Sequence, residues 1–304
     1  ITEYRELVIH NKGGLLSRLP RILSLHTEYQ FLPFYFSAVP KWRLFLRGLN
    51  AKNRIAPDYV ITGPIKCGSS DLVSHLLLHP NIMPPLAKEI QQLRPKNWRS
   101  YYPTEKEKQA LEAKVEGPVR CGYLEPYLND MHLMNKLHKL NPQSKIVITL
   151  RDPVVRAYSQ WKWERFLGGE HFKHHPHFNT FQNYLDRAID LFPSIDMETA
   201  CGFPVLETGI YHKAVENWIE KFGKENVLIF DSSEYFLNRK PTLEKVQSFL
   251  ELPVVDIPEY GKKANENPIK LPPADSETKA MLAEFYKPYN QKLFELIDTE
   301  FDWL

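Results

Sequence analysis

The chain has 304 residues, 43% of them hydrophobic and 25% charged, which is ordinary globular composition with enough length for a large core. Its 39 Lys and Arg offset 37 Asp and Glu, so the +2 balance excludes a general attraction for nucleic acid or membrane, and an anionic ligand has to be met by locally placed cations. Cys67, Cys121 and Cys201 are odd in number and lack metal-ligand spacing, which points away from a disulfide framework and a zinc site.

Residues 1–56 read as an extension in which Phe31, Phe34, Tyr35, Phe36, Trp42 and Phe45 are interleaved with Arg18, Arg21, Lys41, Arg43 and Arg47. Because these cations keep to no clear helical face, a packing extension is favoured over an amphipathic membrane-surface segment in residues 1–55, with a wall of the ligand site as a third reading. Residues 57–304 are expected to form a single α/β domain, a P-loop-like, mostly parallel sheet flanked by helices. Asp58 to Thr62 reads as a short buried strand, Gly63 to Ser70 as a loop and Asp71 to His79 as a helix. Lys145 to Leu150 is a stronger strand that stops at Arg151-Asp152-Pro153, and Asn226 to Phe230 is a third, preceded by a helix from Ile210 to Phe222. Strands alternating with helices predict a parallel sheet whose ligands sit beyond the strands' carboxyl ends. Leu167 to Pro204, with His171, His174, His175 and His177, reads as a solvated insertion.

The chemistry starts at Gly63-Pro64-Ile65-Lys66-Cys67-Gly68-Ser69-Ser70, where a loop between strand and helix offers backbone amides and a helix N-terminus to an anion. The spacing superficially resembles a Walker A loop, but that motif has Lys directly after its second Gly, where Ser69 stands here.

A Lys followed by a small residue, Gly and two hydroxyl residues resembles the 5'-phosphosulfate loop of the sulfotransferases that use 3'-phosphoadenosine 5'-phosphosulfate (PAPS). Ser74 to Asn81 followed by Lys88-Glu89 resembles the carbohydrate branch of that family, which includes heparan and chondroitin sulfotransferases. Leu150-Arg151-Asp152-Pro153 with Arg156, Tyr158 and Ser159 resembles its 3'-phosphate motif. Gly209-Ile210-Tyr211 with Trp218, and Phe285 through Trp303, resemble its later helices. Two segments depart from the pattern: Ile90 to Leu93 replaces the usual Pro-His and aromatics, and Gly122-Tyr123-Leu124-Glu125-Pro126 replaces a Gly-Glu-(Lys/Ala)-(Thr/Ser)-Pro segment. Both commonly border the acceptor.

The resemblance implies PAPS as sulfuryl donor, 3'-phosphoadenosine 5'-phosphate as product, no metal requirement and no nucleic-acid partner. It assigns Lys66 to the leaving-group oxygen and Glu89 to the general base, with His75, His79 and His132 as alternative bases. Cys67, Gly68, Ser69 and Ser70 join Lys66 at the 5'-phosphate, and Arg151 and Ser159 hold the 3'-phosphate. Lys262, Lys263 or Lys270 supplies a further cation from the loop 260–271. A carbohydrate-like acceptor is favoured over an apolar alcohol or small metabolite. Two competing readings are a phosphoryl-transfer enzyme, which predicts dependence on ATP and Mg²⁺, and a non-catalytic adenosine-bisphosphate binding protein, which has no need of a base at Glu89. No Asn-x-Ser/Thr sequon occurs, there is no signal peptide, and no apolar run is long enough to span a bilayer. A reducing cytoplasm is therefore the expected location, with the Golgi lumen as the alternative if an anchor precedes Ile1.

Overall fold

A strand that is apolar on both faces has to be covered by helices on both, and Tyr59–Thr62 and Lys145–Leu150 are such runs, buried almost throughout. The computed structural model describes residues 41–87, 96–193, 203–257 and 271–303, with 39, 93 and 199 besides. Helix α1 (Lys41–Gly48) is followed by β1 (Tyr59–Thr62), α2 (Ser69–Leu76), α3 (Glu105–Glu112), β2 (Gly122–Glu125), α4 (Met131–Leu140) and β3 (Lys145–Leu150). Then come α5 (Pro153–His174), the short α6 (Pro176–Asn179), α7 (Phe181–Leu191), α8 (His212–Phe222), β4 (Val227–Asp231), α9 (Ser232–Leu237), α10 (Arg239–Phe249) and α11 (Ser276–Ile297).

The four strands lie in the order β2-β1-β3-β4 and every pairing is parallel. Thr62 pairs with Glu125 on one side and Ile148 on the other, and Leu150 pairs with Asp231. All four carboxyl ends therefore open on one edge. Side chains alternate between the faces as strand geometry requires. Val60, Ile146, Ile148 and Leu150 pack with Leu133, Leu137 and Trp218, while Ile61 and Val147 pack with Leu72, Leu76, Tyr235 and Val246.

The α/β architecture matches the sequence reading, with one strand added. β2 is only four residues long and carries Glu125 in a fully buried position, so it lacks the apolar run that marks β1 and β3. The segment read as a solvated insertion is also corrected. Phe172, Phe178, Phe181, Tyr184 and Leu185 are buried against Val154, Trp161 and Tyr286, giving this region an apolar cluster of its own. Three of its histidines mislead because they lie at or beyond the rim of that cluster: His174 and His177 are exposed, and His175 is half-buried against Phe178. No group of His, Cys, Asp or Glu among the described residues is arranged to hold a metal ion.

Candidate active site

β1 ends against β3 so closely that a β-carbon on Gly63 would lie 2.3 Å from the Thr149 carbonyl oxygen. The chain then turns through Lys66 and Gly68, both at positive φ (73° and 84°), before entering α2. Gly68 suits this conformation and occupies the N-cap position, where its carbonyl accepts from the Asp71 amide at 3.0 Å. Phe236 and Ser232, from α9, pack so near that a β-carbon on Gly68 would meet them at 3.0 and 3.3 Å. The loop thus turns its backbone to the open edge and leaves the start of α2 facing an anion.

Two cations converge on this turn. The Lys66 ammonium sits over the Trp163 ring of α5, 4.1 Å from its centroid. Arg151, at the end of β3, donates from Nη1 to the Lys66 carbonyl at 3.2 Å, and its own carbonyl accepts from the Tyr211 hydroxyl at 2.9 Å. Asp152 does not act as a salt-bridge partner in the turn but caps α5, accepting from the Val154 amide at 2.8 Å. Ser159 is half-buried on α5, while its neighbour Tyr158 bonds the Pro272 carbonyl. Arg156, from the same motif, is fully buried and holds the Val205 carbonyl and, at 2.6 Å, Gln160; its role is structural.

Cys67 faces inward. Burial pushes its thiol up to about 12, outweighing Arg156 and Arg151, so only its backbone is available to a ligand. Ser69 and Ser70 open α2 and are half-buried. Behind them the Asp71 carboxylate accepts from the Tyr235 hydroxyl at 2.9 Å and Arg239 Nε at 3.1 Å, with His75 Nδ1 at 3.3 Å. This network ties α2 to α9 and α10.

The alternative bases fare unequally. His75 is 1% exposed and committed to Asp71 and Tyr235. Burial alone would depress it, but the bonds to Asp71 outweigh that and hold it above the ordinary imidazole range. His79 is fully buried with both nitrogens in use, on the Pro253 carbonyl at 2.8 Å and the Asn81 amide at 3.0 Å. Both are turned into the protein interior. His132 is exposed at the start of α4. Glu89, Lys262, Lys263 and Lys270 lie outside the described residues.

Trp163, Asp71, Tyr235 and Arg239 escaped the sequence reading because their partners are far away in the chain. Glu125 belongs to a segment that the sequence reading set beside the acceptor but gave no role. It ends β2 beside Thr62, fully buried, and its Oε1 accepts from the Tyr127 amide at 3.1 Å. A cavity of about 240 Å³ between Asp58, Arg120, Lys145 and Glu251 lies at the opposite, amino edge of the sheet. Its charges are matched there, Lys108 on Asp58 and Arg120 on Glu251, so it offers an anion no excess of cations.

A family model described as a sulfotransferase domain matches residues 56–266. The chain belongs to the sulfotransferase-domain family. Among its relatives, carbohydrate sulfotransferase 15 of Mus musculus is 26% identical over 85% of this chain and 56% of its own length. Heparan sulfate glucosamine 3-O-sulfotransferase 3B1 of Homo sapiens is 21% identical over 85% of this chain and 67% of its own. Membrane-associated sulfotransferase kil1 of Dictyostelium discoideum is 21% identical over 81% and 66%. The chain thus spans little more than half the length of its carbohydrate sulfotransferase 15 relatives. A crystal structure of a sulfotransferase from Alicyclobacillus acidocaldarius shares the fold, with TM-score 0.58 and 20% identity over 81% of this chain and 97% of that one. The relatives overturn the expected cytoplasmic location, since one of these sulfotransferases is named as membrane-associated. That expectation rested on the odd cysteines and the missing sequon, signal peptide and apolar run, read from a chain that spans only part of the length of its carbohydrate sulfotransferase 15 relatives. No helix among the described residues is long and apolar enough to cross a membrane.

Proposed function

We propose that this chain transfers the sulfuryl group of PAPS to a hydroxyl or amine of a carbohydrate-like acceptor. The observation that carries the reading is the join between the two cation-bearing turns: Arg151 Nη1 on the Lys66 carbonyl, at the N-terminus of α2 and on the edge where all four strands end. That spacing suits a ligand with one phosphate at each turn, the 5'-phosphosulfate over Lys66, Gly68, Ser69 and Ser70 and the 3'-phosphate on Arg151 and Ser159. Lys262, Lys263 or Lys270 completes the donor site from the following loop. The acceptor oxygen or nitrogen attacks sulfur in line as the bond from sulfur to the bridging phosphate oxygen breaks. Lys66 neutralises the charge appearing on that oxygen, and Glu89 takes the acceptor's proton. The names of the carbohydrate and heparan sulfate relatives favour a glycan acceptor over an apolar alcohol.

The test is turnover with PAPS, against ATP with Mg²⁺, over a panel of glycans and apolar alcohols, with chelator present in a parallel series. Turnover with PAPS on a glycan, unchanged by chelator, is expected. Lys66→Ala should nearly abolish it and Glu89→Gln lower it by about 10²-fold or more, whereas Glu125→Gln serves as the comparison at a buried carboxylate on this edge. Arg151→Ala should cost roughly 1.5–3 kcal/mol in binding 3'-phosphoadenosine 5'-phosphate and little for ligands lacking the 3'-phosphate. Donor binding without turnover on any acceptor would leave only the binding-protein reading.

A further inference from the structure

Helix α1 turns most of its apolar side chains outward. Trp42, Phe45, Leu46 and Leu49 follow the spacing i, i+3, i+4, i+7 of a single apolar stripe, the pattern that ordinarily faces a core. Here the stripe faces outward, with exposures of 50, 68, 54 and 74%. The side against the body of the protein holds one apolar residue, Leu44, 7% exposed, together with the arginines. Arg43 is 7% exposed, and Arg47 donates from Nε to the Ser100 carbonyl at 2.6 Å and from Nη2 to the Tyr102 carbonyl at 2.5 Å. Arg54 fastens the following turn, reaching the Arg47 carbonyl at 2.9 Å and the Tyr102 carbonyl at 2.6 Å. Seen in sequence, the cations keep to no one face of an exposed helix; in the structure, two of them are clamps on the neighbouring turn.

We propose that α1 is a docking element for an anionic lipid surface, with Trp42, Phe45, Leu46 and Leu49 entering the boundary between headgroups and acyl chains. The charge around the stripe selects this occupant. Residues 29–57 contain no Asp or Glu, and Lys41 and Lys52, one at the start of α1 and one just beyond its end, are exposed. Two copies of the chain meeting stripe to stripe would set these cations against each other, whereas an anionic membrane pairs with them. Lysines at the rim of an apolar helix face extend their ammonium groups to the headgroups while their stems stay on the apolar side. The stripe owes nothing to the sulfuryl-transfer reading, and the two stand or fall separately.

The test is flotation of the full chain with phosphatidylcholine vesicles, with and without phosphatidylserine, compared with a Phe45→Gln/Leu49→Gln double variant. Binding to the phosphatidylserine vesicles with a blue shift of indole emission is expected, and the double variant should bind at least about tenfold more weakly. Lys41→Gln/Lys52→Gln should weaken binding to the anionic vesicles alone. The variant positions are solvent-exposed, so melting temperature and donor-product affinity should stay as they are. Three results would overturn the proposal: vesicle binding that survives in the double variant or is absent from the parent chain, a dimer of the parent chain that the double variant converts to monomer, or a loss of melting temperature in the double variant without lipid. The second would assign the stripe to another copy, and the third to the chain's own residues upstream.

Discussion

At Gly63 a single hydrogen atom decides whether β1 and β3 can end side by side. A β-carbon would press on the Thr149 carbonyl at 2.3 Å, and backbone cannot swing away as a side chain can. Gly63→Ala should therefore destabilise the protein by roughly 1–3 kcal/mol and weaken donor-product binding, read from denaturant midpoints and titration of 3'-phosphoadenosine 5'-phosphate. Trp163 acts differently, because its ring face holds the Lys66 ammonium from a distance of 4.1 Å. With Lys66 as the proposed leaving-group cation, Trp163→Leu should lower turnover roughly twofold to thirtyfold, the span of a cation–π contact. Trp163→Phe keeps a ring face and should recover part of the loss. Equal loss in Phe and Leu variants would show that bulk, not the ring face, matters at this position.

Among the elements, α2 depends on the Asp71 network for its place over the sheet. Tyr235→Phe removes one donor to a buried carboxylate and should cost roughly 1–3 kcal/mol in stability. Because Arg239 shares the same oxygen, the double variant with Arg239→Met should depart from additivity, which a double-mutant cycle measures. His79, just after α2, gives this region a pH dependence. The Asn81 amide donates to Nδ1, so Nε2 carries the proton that goes to the Pro253 carbonyl, and a second proton has no place. Burial depresses its pKa, opposed only by the bond to Pro253, so the stability it confers is full above the ordinary imidazole value and is lost as pH falls below it. His75, held above the ordinary range by Asp71, has the opposite sign: its contribution is full in acid and fades as pH rises. His79→Asn should therefore flatten the loss of stability between pH ~7.5 and ~5.5, measured as urea midpoints across that window. The elements also show what can be read from sequence. β1, β3 and the loop Gly63–Ser70 stand out because their signals are local, an apolar run and a motif of adjacent residues. β2 and the Asp71 network do not, since a four-residue strand has no periodicity and Asp71 meets Tyr235 and Arg239 from far along the chain. The outward stripe of α1 is hidden for the same reason: a helical stripe gives the face, and the Ser100 and Tyr102 carbonyls decide which way it turns.

Donor binding at the proposed site would couple to folding of the whole molecule, because that site draws on the ends of β1 and β3 and the starts of α2 and α5. A ligand that binds only this assembled edge at about 100 times its dissociation constant adds about 2.7 kcal/mol, which for a chain of this length is roughly 4 °C in melting temperature. 3'-Phosphoadenosine 5'-phosphate should produce that shift and ATP at the same concentration much less; equal shifts would remove the case for a site shaped to the 3'-phosphate. The strand order has a consequence for how the chain is made. β1 leaves the ribosome first, yet both its neighbours come much later: Tyr59 waits for Gly122 on one side and Lys145 on the other, and Ile146 then waits for Val227. Gly68 acquires its cover only when Ser232 and Phe236 arrive. The anion loop is thus among the earliest segments synthesised in the domain and among the last to become a loop of fixed shape. Until the end of α9 has emerged, the nascent chain carries the motif without the site, and its apolar strands remain a burden for chaperones.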